Sequence, residues 1–478
     1  MLLLLSLSPL VGSVVCFALP PVAAGRLGVF ISSIVFALSL VLWALFDNLD
    51  PRYQFVESVS WFASSGVALR LGIDGISLYL ILLTTLLVPI CLSSSLSYLS
   101  GRSNLFVAVF LLMESLLIAA FSVLDLIAFY AFFEGILIPM FLLIGIWGSR
   151  SRKLRAAYYL FYYTLVGSIL MLLGLLYMYS ELGTTCVYAL HAHSFSETEQ
   201  LILWLLVFIA FAVKVPVVPF HIWLPEAHVE APTSGSVILA GILLKLGGYG
   251  FLRFVLPVFP EASSYYVPLV LTLGSVSVVY SSLTTLRQVD LKKIIAYSSV
   301  AHMSLGLIGL FSLNIQGLEG SILLMIGHGV VSSALFLIVG VLYDRFHTRL
   351  VRYYGGLTQV MPAFSACFLF FSLANMGLPG TSNFVGEILV FLGLIQRSLF
   401  AGVLASLGMV LGAAYSLWLY NRVCFGALKT RYAGLFPDLT QHEVFVLGYL
   451  ILLSLGLGLY PQPVMSAIHC SASLILRV

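Results

Sequence analysis

The chain reads as an all-α, polytopic membrane protein of about fourteen transmembrane helices, with two inverted five-helix repeats and two broken helices. Three observations predict this. Of 478 residues, 61% are hydrophobic and only 9% charged, too little charge to cover a soluble domain of this size. The apolar residues fall in runs of roughly 20, the length a helix needs to cross a hydrocarbon core. The basic residues are shared unevenly between alternate loops, as the positive-inside rule requires.

The expected spans are 2–19, 27–46, 74–98, 104–121, 124–147, 156–180, 201–224, 233–256, 266–285, 293–312, 318–342, 361–391, 399–424 and 443–464. The stretch from Leu2 is apolar with no positive flank before it, so it reads as a first span and not as a cleavable signal. Asp74 stands at the mouth of the third span, where a helix N-cap suits it. Of the 22 Lys and Arg residues, fifteen fall in loops after odd-numbered spans, among them Arg102, Arg150, Arg152, Lys153, Arg155, Lys292, Lys293 and Arg431. Five fall on the other side (Arg52, Arg70, Arg253, Arg397 and Arg477), and Lys214 and Lys245 lie inside spans. The excess places both termini on the outer, proton-rich side.

Two spans are interrupted. The seventh carries Lys214 and then Pro216, Pro219 and His221; each proline removes a backbone donor and crowds the preceding turn, so the helix breaks or kinks there. The twelfth breaks at Leu378, Pro379 and Gly380, after Asn375. The breaks are five spans apart, and because five is odd the second unit is inverted relative to the first, the arrangement of transporters with an ion site near the midplane. The expected division is 1–103 as N-terminal transmembrane helices, 104–256 and 257–425 as the two inverted repeats, each a proton half-channel, and 426–478 as a C-terminal transmembrane helix.

Several chemistries find no support. The six cysteines are scattered singly with no CxxC spacing, which speaks against iron–sulfur and structural zinc sites. Neither GxGxxG nor GxxxxGK[ST] occurs, so nothing cradles a nucleotide. The longest loops, 47–73 and 181–200, carry no acids paired at catalytic spacing, which disfavours a membrane transferase or hydrolase. His221 and His228 bracket Glu226, but Pro225 interrupts the helix between them, so no metal site is expected.

The ionisable residues within the spans are few: Glu114, Glu134, Lys214, Lys245, His302, His328 and Glu387. Intramembrane charge is costly and marks function by default. An alternating series of carboxylate, lysine and histidine suits proton relay, since burial brings carboxylate and lysine pKa values toward neutrality and a neighbouring charge moves them back. The competing readings are a lysine snorkelling to an interface, buried ion pairs that fix helix packing, and histidines that bond across helices. Glu114, His221 and His228 are expected only in supporting roles.

The run from Lys214 through Pro216, Pro219, His221, Trp223 and Pro225 to His228 resembles the signature of the antiporter-like membrane subunits of respiratory complex I. So do residues 71–77, 132–140, 290–303 and 380–387. Glu387 resembles the member that ends its relay in a glutamate where sister subunits carry a lysine, and residues 411–422 are similar to the mitochondrially encoded version, particularly of plants and algae. The resemblance implies that Glu134 and Lys214 form the pair of a first half-channel, that Lys245 links it to a second, and that His302 and His328 carry the proton to Glu387 and the outer side. It further implies location in the mitochondrial inner membrane, lipid and other membrane-arm subunits as partners, including sister antiporter-like subunits, and no nucleic acid. It implies no cofactor and no metal in this chain, with NADH, FMN, iron–sulfur clusters and ubiquinone on other subunits. A subunit of a multi-subunit cation/proton antiporter would need the same relay, and a chloroplast relative that reduces plastoquinone is a further alternative.

The orientation is directly testable. A Ser151→Cys variant is expected to react with a membrane-impermeant thiol reagent only from the inner side; labelling from the outer side alone would contradict the fourteen-span reading.

Overall fold

A computed structural model describes residues 1–62, 67–95, 103–429 and 437–477. Its elements in chain order are α1 (Leu2–Ala18), α2 (Pro21–Ala44), β1 (Gln54–Phe62), β2 (Val67–Ile73), α3 (Gly75–Ser95), α4 (Ser103–Ser122), α5 (Leu126–Gly135), α6 (Leu137–Trp147), α7 (Lys153–Leu182), α8 (Val187–Ala192) and α9 (Glu197–Lys214). After the first break come α10 (Trp223–Glu230), α11 (Thr233–Ile238) and α12 (Leu244–Gly250), the last joined to α11 by a π-helical turn at Leu239–Leu243 and continued by another at Phe251–Val255. Then follow α13 (Pro260–Tyr265), α14 (Val267–Arg287), α15 (Leu291–Leu310), α16 (Ile315–Phe346), α17 (Pro362–Asn375), α18 (Ser382–Arg397), α19 (Leu399–Cys424), α20 (Gln441–Leu459) and α21 (Gln462–Arg477). Among the described residues, eleven helices are long and apolar enough to cross a membrane, and α1 and α17 are shorter apolar helices at two further expected spans. Arg102 and Arg431 lie outside the described residues.

Several expectations need correction. Residues 47–73 are not a plain loop: β1 and β2 form an antiparallel hairpin. Val67, Leu69, Leu71 and Ile73 alternate with smaller or polar residues, the period-two pattern of a strand. The 181–200 connection contains α8. The C-terminal segment carries two helices where one was expected, because Tyr460 and Pro461 interrupt the helix between Leu459 and Gln462. Arg253 is no loop residue; it is 7% exposed, within the π-helical turn that ends the eighth span.

The centre of the molecule is α16, whose most apolar stretch is entirely buried. It packs tightly on α18 because small residues face each other. A Cβ at Gly386 would stand 2.6 Å from the Leu324 nitrogen, and one at Gly320 would stand 2.6 Å from the Val390 nitrogen. In lipid, where apolar side chains gain nothing by leaving solvent, such close backbone approach is what holds two helices together. α21 lies across the start of α16, with His469 Nδ1 2.5 Å from Glu319 Oε1.

The ends of several elements are joined through one guanidinium. Asp74 caps α3 as expected, its carboxylate accepting from the Ser77 N–H at 3.0 Å, and it also pairs with Arg253 Nη2 at 2.9 Å. Arg253 donates to the hydroxyls of Tyr53 at 2.5 Å and Tyr249 at 3.2 Å. His191 of α8 sits 3.3 Å from the Arg253 carbonyl. Burial lowers its pKa to about 4, so at neutral pH it adds no charge beside the arginine.

Removing one partner of a buried ion pair strands the other charge, at a cost of about 3–5 kcal/mol. Arg253→Met is therefore expected to lower the thermal midpoint of the assembly markedly, and Arg253→Met with Asp74→Asn to recover part of the loss. Equal loss in the single and double variants would show that the pair contributes nothing.

Candidate functional site

The first break sets Lys214 at a helix end, and the second precedes Glu387 in the second turn of α18. At the first, α9 stops at Lys214; the Val217 N–H reaches back to the Ala212 carbonyl at 3.1 Å. The following segment holds a cis Val218–Pro219 peptide. Trp223 Nε1 donates to the Val213 carbonyl at 2.9 Å, tying α10 back to the end of α9. Lys214 is 3% exposed. Its ammonium lies over the Phe133 ring, 4.3 Å from the centroid, a cation–π contact. It acts electrostatically on the Glu134 carboxylate. Glu134 and Lys214 are thus near neighbours, with Phe133 under the ammonium.

The next lysine sits where the helix geometry changes. Lys245 follows the Leu239–Leu243 π-helical turn, and its Nζ donates to the Ala240 carbonyl, five residues back, at 2.5 Å. π turns shift the backbone ladder and are frequent at functional positions; here the turn offers a carbonyl to a fully buried ammonium. Nζ also lies 2.9 Å from His328 Nδ1 on α16. Gly247, two residues on, has no Cβ to push against the Lys214 Cβ, which would stand 3.1 Å away, so the helices bearing the two lysines pack directly.

From His328 the series continues. The His328 and His302 rings are 5.7 Å apart between centroids, and His302 Nδ1 is 3.2 Å from Glu387 Oε1. Glu387 is 2% exposed, and its Oε2 has no hydrogen-bond partner. It sits at the second break, where Gly377 has φ +76° and a Cβ would stand 2.3 Å from Glu387 Oε2. A cavity of about 20 Å³ adjoins, lined by His302, Glu387, Asn375 and Tyr415 among others; that is the space of about one water molecule.

The fold thus brings Lys245, His328, His302 and Glu387 into one continuous buried series and places Glu134 and Lys214 beside its start. The other candidates stand apart. His221 has its ring between Tyr280 and Tyr297, at 5.7 and 6.1 Å. Glu226 pairs with Lys293 at 2.7 Å. His228 stacks on Phe336 at 4.8 Å with neither ring nitrogen bonded. These three side chains therefore do not converge. Glu114 is fully buried in α4 with both carboxylate oxygens unpartnered.

Sequence reasoning missed Tyr415, which lines the cavity beside Glu387, and Lys292. Lys292 was counted as a loop cation, but it is 2% exposed. A signal was present: it lies in the first turn of α15, where the helix dipole disfavours a cation, so something else must hold it there.

Residues 123–455 match the family described as NADH:quinone oxidoreductase/Mrp antiporter, transmembrane. The chain belongs to this family of antiporter-like membrane subunits. It is 55% identical to the NADH-ubiquinone oxidoreductase chain 4 of Arabidopsis thaliana over 476 residues, covering 99% of this chain and 96% of that one. The corresponding chain of Chondrus crispus is 54% identical over 480 residues, covering 100% and 98%. Among solved structures, a chain of respiratory complex I from Thermus thermophilus with bound NADH superposes with a TM-score of 0.91 at 32% identity, covering 100% of this chain and 99% of that one. A chain of the Mrp complex from Dietzia sp. DQ12-45-1b gives 0.88 at 20% identity, covering 99% and 97%, a likeness of fold.

Gly377→Ala tests the geometry of the second break without removing a titratable group. The methyl group meets both an unfavourable φ and the Glu387 carboxylate. Proton pumping is expected to fall to the level of a Glu387→Gln variant; unimpaired pumping would show that the position of this carboxylate is unimportant.

Proposed function

We propose that the chain translocates protons as a membrane-arm subunit of NADH:ubiquinone oxidoreductase in the mitochondrial inner membrane, through the buried Glu134, Lys214, Lys245, His328, His302 and Glu387 series. The observation that carries this reading is the buried series in which Lys245 Nζ lies 2.9 Å from His328 Nδ1, the two histidine rings stand 5.7 Å apart between centroids, and His302 Nδ1 lies 3.2 Å from Glu387 Oε1. Family membership and the relatives named above support it.

In this reading the energy comes from quinone reduction on other subunits. NADH, FMN, the iron–sulfur clusters and ubiquinone belong there, and sister antiporter-like subunits and lipid flank the chain. The enzyme activity is that of the whole complex. A cation/proton antiporter subunit would use a similar relay, but the likeness to the Mrp chain is one of fold, whereas the curated relatives at about half identity share one name.

The chemistry follows from the contacts. Lys245 Nζ hydrogen-bonds to His328 Nδ1, so a proton given up by the lysine arrives on the imidazole. The ring accepts on one nitrogen and releases from the other. His302 passes the proton from its Nδ1 side to the Glu387 carboxylate, next to a loosened backbone that can line a cavity. At the other end Glu134 holds charge near Lys214 without contact, so that its protonation changes the field on Lys214 while leaving the lysine free to exchange its proton.

In reconstituted vesicles energised with NADH, Glu387→Gln is expected to lower both proton pumping and, through coupling, quinone reduction by about tenfold or more, the usual scale for loss of a proton-transfer group. Glu134→Gln is expected to lose most activity and Glu134→Asp to retain much of it. A Glu387→Gln complex with wild-type values for both rates would remove this carboxylate from the path.

A further inference from the structure

Away from the relay, α14 and α19 part toward the outer side and leave a cleft. They meet where Gly408 has no side chain: a Cβ there would stand 2.2 Å from Val278 Cγ1. Nearer the outer end, Val267 and Leu271 of α14 are set against Ala401 of α19, whose methyl group leaves space between the helices. A cavity of about 340 Å³ results, with Arg397 at its mouth and the exposed Thr272 and Phe400 on its rim. Val278 lies about 16 Å down the helix from Val267 at 1.5 Å per residue. That is close to the depth of one leaflet, half of a hydrocarbon core about 30 Å thick.

Arg397 stands on the outer side, against the distribution that keeps most basic residues on the inner side. It is exposed, and no acceptor among the described residues meets its guanidinium. The hydroxyls around it are already engaged. Ser264 Oγ donates to the Glu261 carbonyl at 2.8 Å, Thr272 Oγ1 to the Leu269 carbonyl at 2.8 Å and Ser275 Oγ to the Thr272 carbonyl at 3.1 Å. Ser398 Oγ accepts from the Ala401 N–H at 3.4 Å and so caps α19. Among the side chains of the cleft, the guanidinium is the one with donors still to offer, and its charge is unbalanced.

Three kinds of occupant compete for such a cleft. Water finds few partners against Val267, Leu271 and Ala401. A helix of a neighbouring subunit, about 10 Å across, is too wide to enter between helices that touch at Gly408. An acyl chain is narrow enough and apolar throughout. In a phospholipid it is joined at the outer surface to a phosphate, which a guanidinium binds through paired N–H donors.

We propose that this cleft is a phospholipid site, in which Arg397 holds the phosphate and one acyl chain lies between α14 and α19 down to the Gly408–Val278 contact. The lipid completes the packing of the outer ends of the two helices. Because Arg397 is the last residue of α18, the phosphate also fastens the end of the helix that carries Glu387. The site stands on the membrane orientation and on this geometry, and is independent of the relay.

The test uses the assembled complex in vesicles containing a phosphatidylcholine with a photoactivatable diazirine on one acyl chain. After illumination, mass spectrometry of peptides reads the share of the chain's label that falls on residues 264–275 and 397–401. Wild type is expected to carry label there. Arg397→Gln is expected to lower it about tenfold, the scale of a lost charged hydrogen bond, and Arg397→Lys, which keeps the charge, to stay within about threefold. Ala401→Phe, which fills the cleft while leaving Arg397 in place, is expected to abolish it. A diacylglycerol probe with the same chains and no phosphate is expected to label about tenfold less than the phospholipid. Undiminished labelling in Arg397→Gln or Ala401→Phe, or equal labelling by the diacylglycerol, would reduce the observation to lipid passing over the surface and overturn the site. Absence of label here while other segments are labelled would overturn it too, by showing that a neighbouring subunit covers the cleft. Displacement of the probe by inorganic phosphate would leave an anion site without an acyl chain, and would equally contradict the proposal.

Discussion

An ammonium in the middle of a bilayer costs at least about 3 kcal/mol and is tolerated only where protein groups stand in for water. Lys245 is fully buried, and much of the architecture around it meets that demand. A π-helical turn frees the Ala240 carbonyl to accept from Nζ, and α16 presents His328 from the other side. α16 can stand there because Gly320 and Gly386 let it press against α18. α18 also packs on α15, which brings Glu387 to His302. The need to hold one charge thus fixes a helix irregularity, a helix–helix contact and a titratable series.

The two halves meet this demand differently, and the difference matters for mechanism. From Lys245 onward two of the three steps are contacts, 2.9 Å from lysine to imidazole and 3.2 Å from imidazole to carboxylate, with the two rings 5.7 Å apart between centroids. In the first half, Glu134 and Lys214 interact through space, with the ammonium over an aromatic face. Contact favours proton transfer between neighbours. Separation favours electrostatic control, since a charge can alter the field on the next group without binding it. A chain that has both can carry protons along one stretch and be switched from the other.

The breaks and their charged residues were legible in the sequence because proline and glycine act locally: Pro216 and Pro219 follow the end of α9, and Pro379 and Gly380 open the backbone before Glu387. Asp74 as a cap was legible for the same reason. What could not be read was which residues meet across helices. The approach of Lys245 to His328 joins positions 83 residues apart and depends on glycines whose partners only the fold reveals. Lys292 was hidden by its position near a helix start, where a basic residue looks like part of a solvated loop. The hairpin at β1 and β2 is not legible, because alternation over seven residues does not stand out in a chain this apolar. Residues flanking the fourth span, including Arg102, lie outside the described residues.

The central claim is that protons pass through the two histidines between Lys245 and Glu387. The most direct measurement is the ratio of protons pumped to electrons transferred in vesicles containing a His328→Phe complex, a substitution that keeps an aromatic ring but cannot take a proton. A lowered ratio, or a coupled fall in both rates, is the predicted result. An unchanged ratio at the wild-type electron rate would contradict the account.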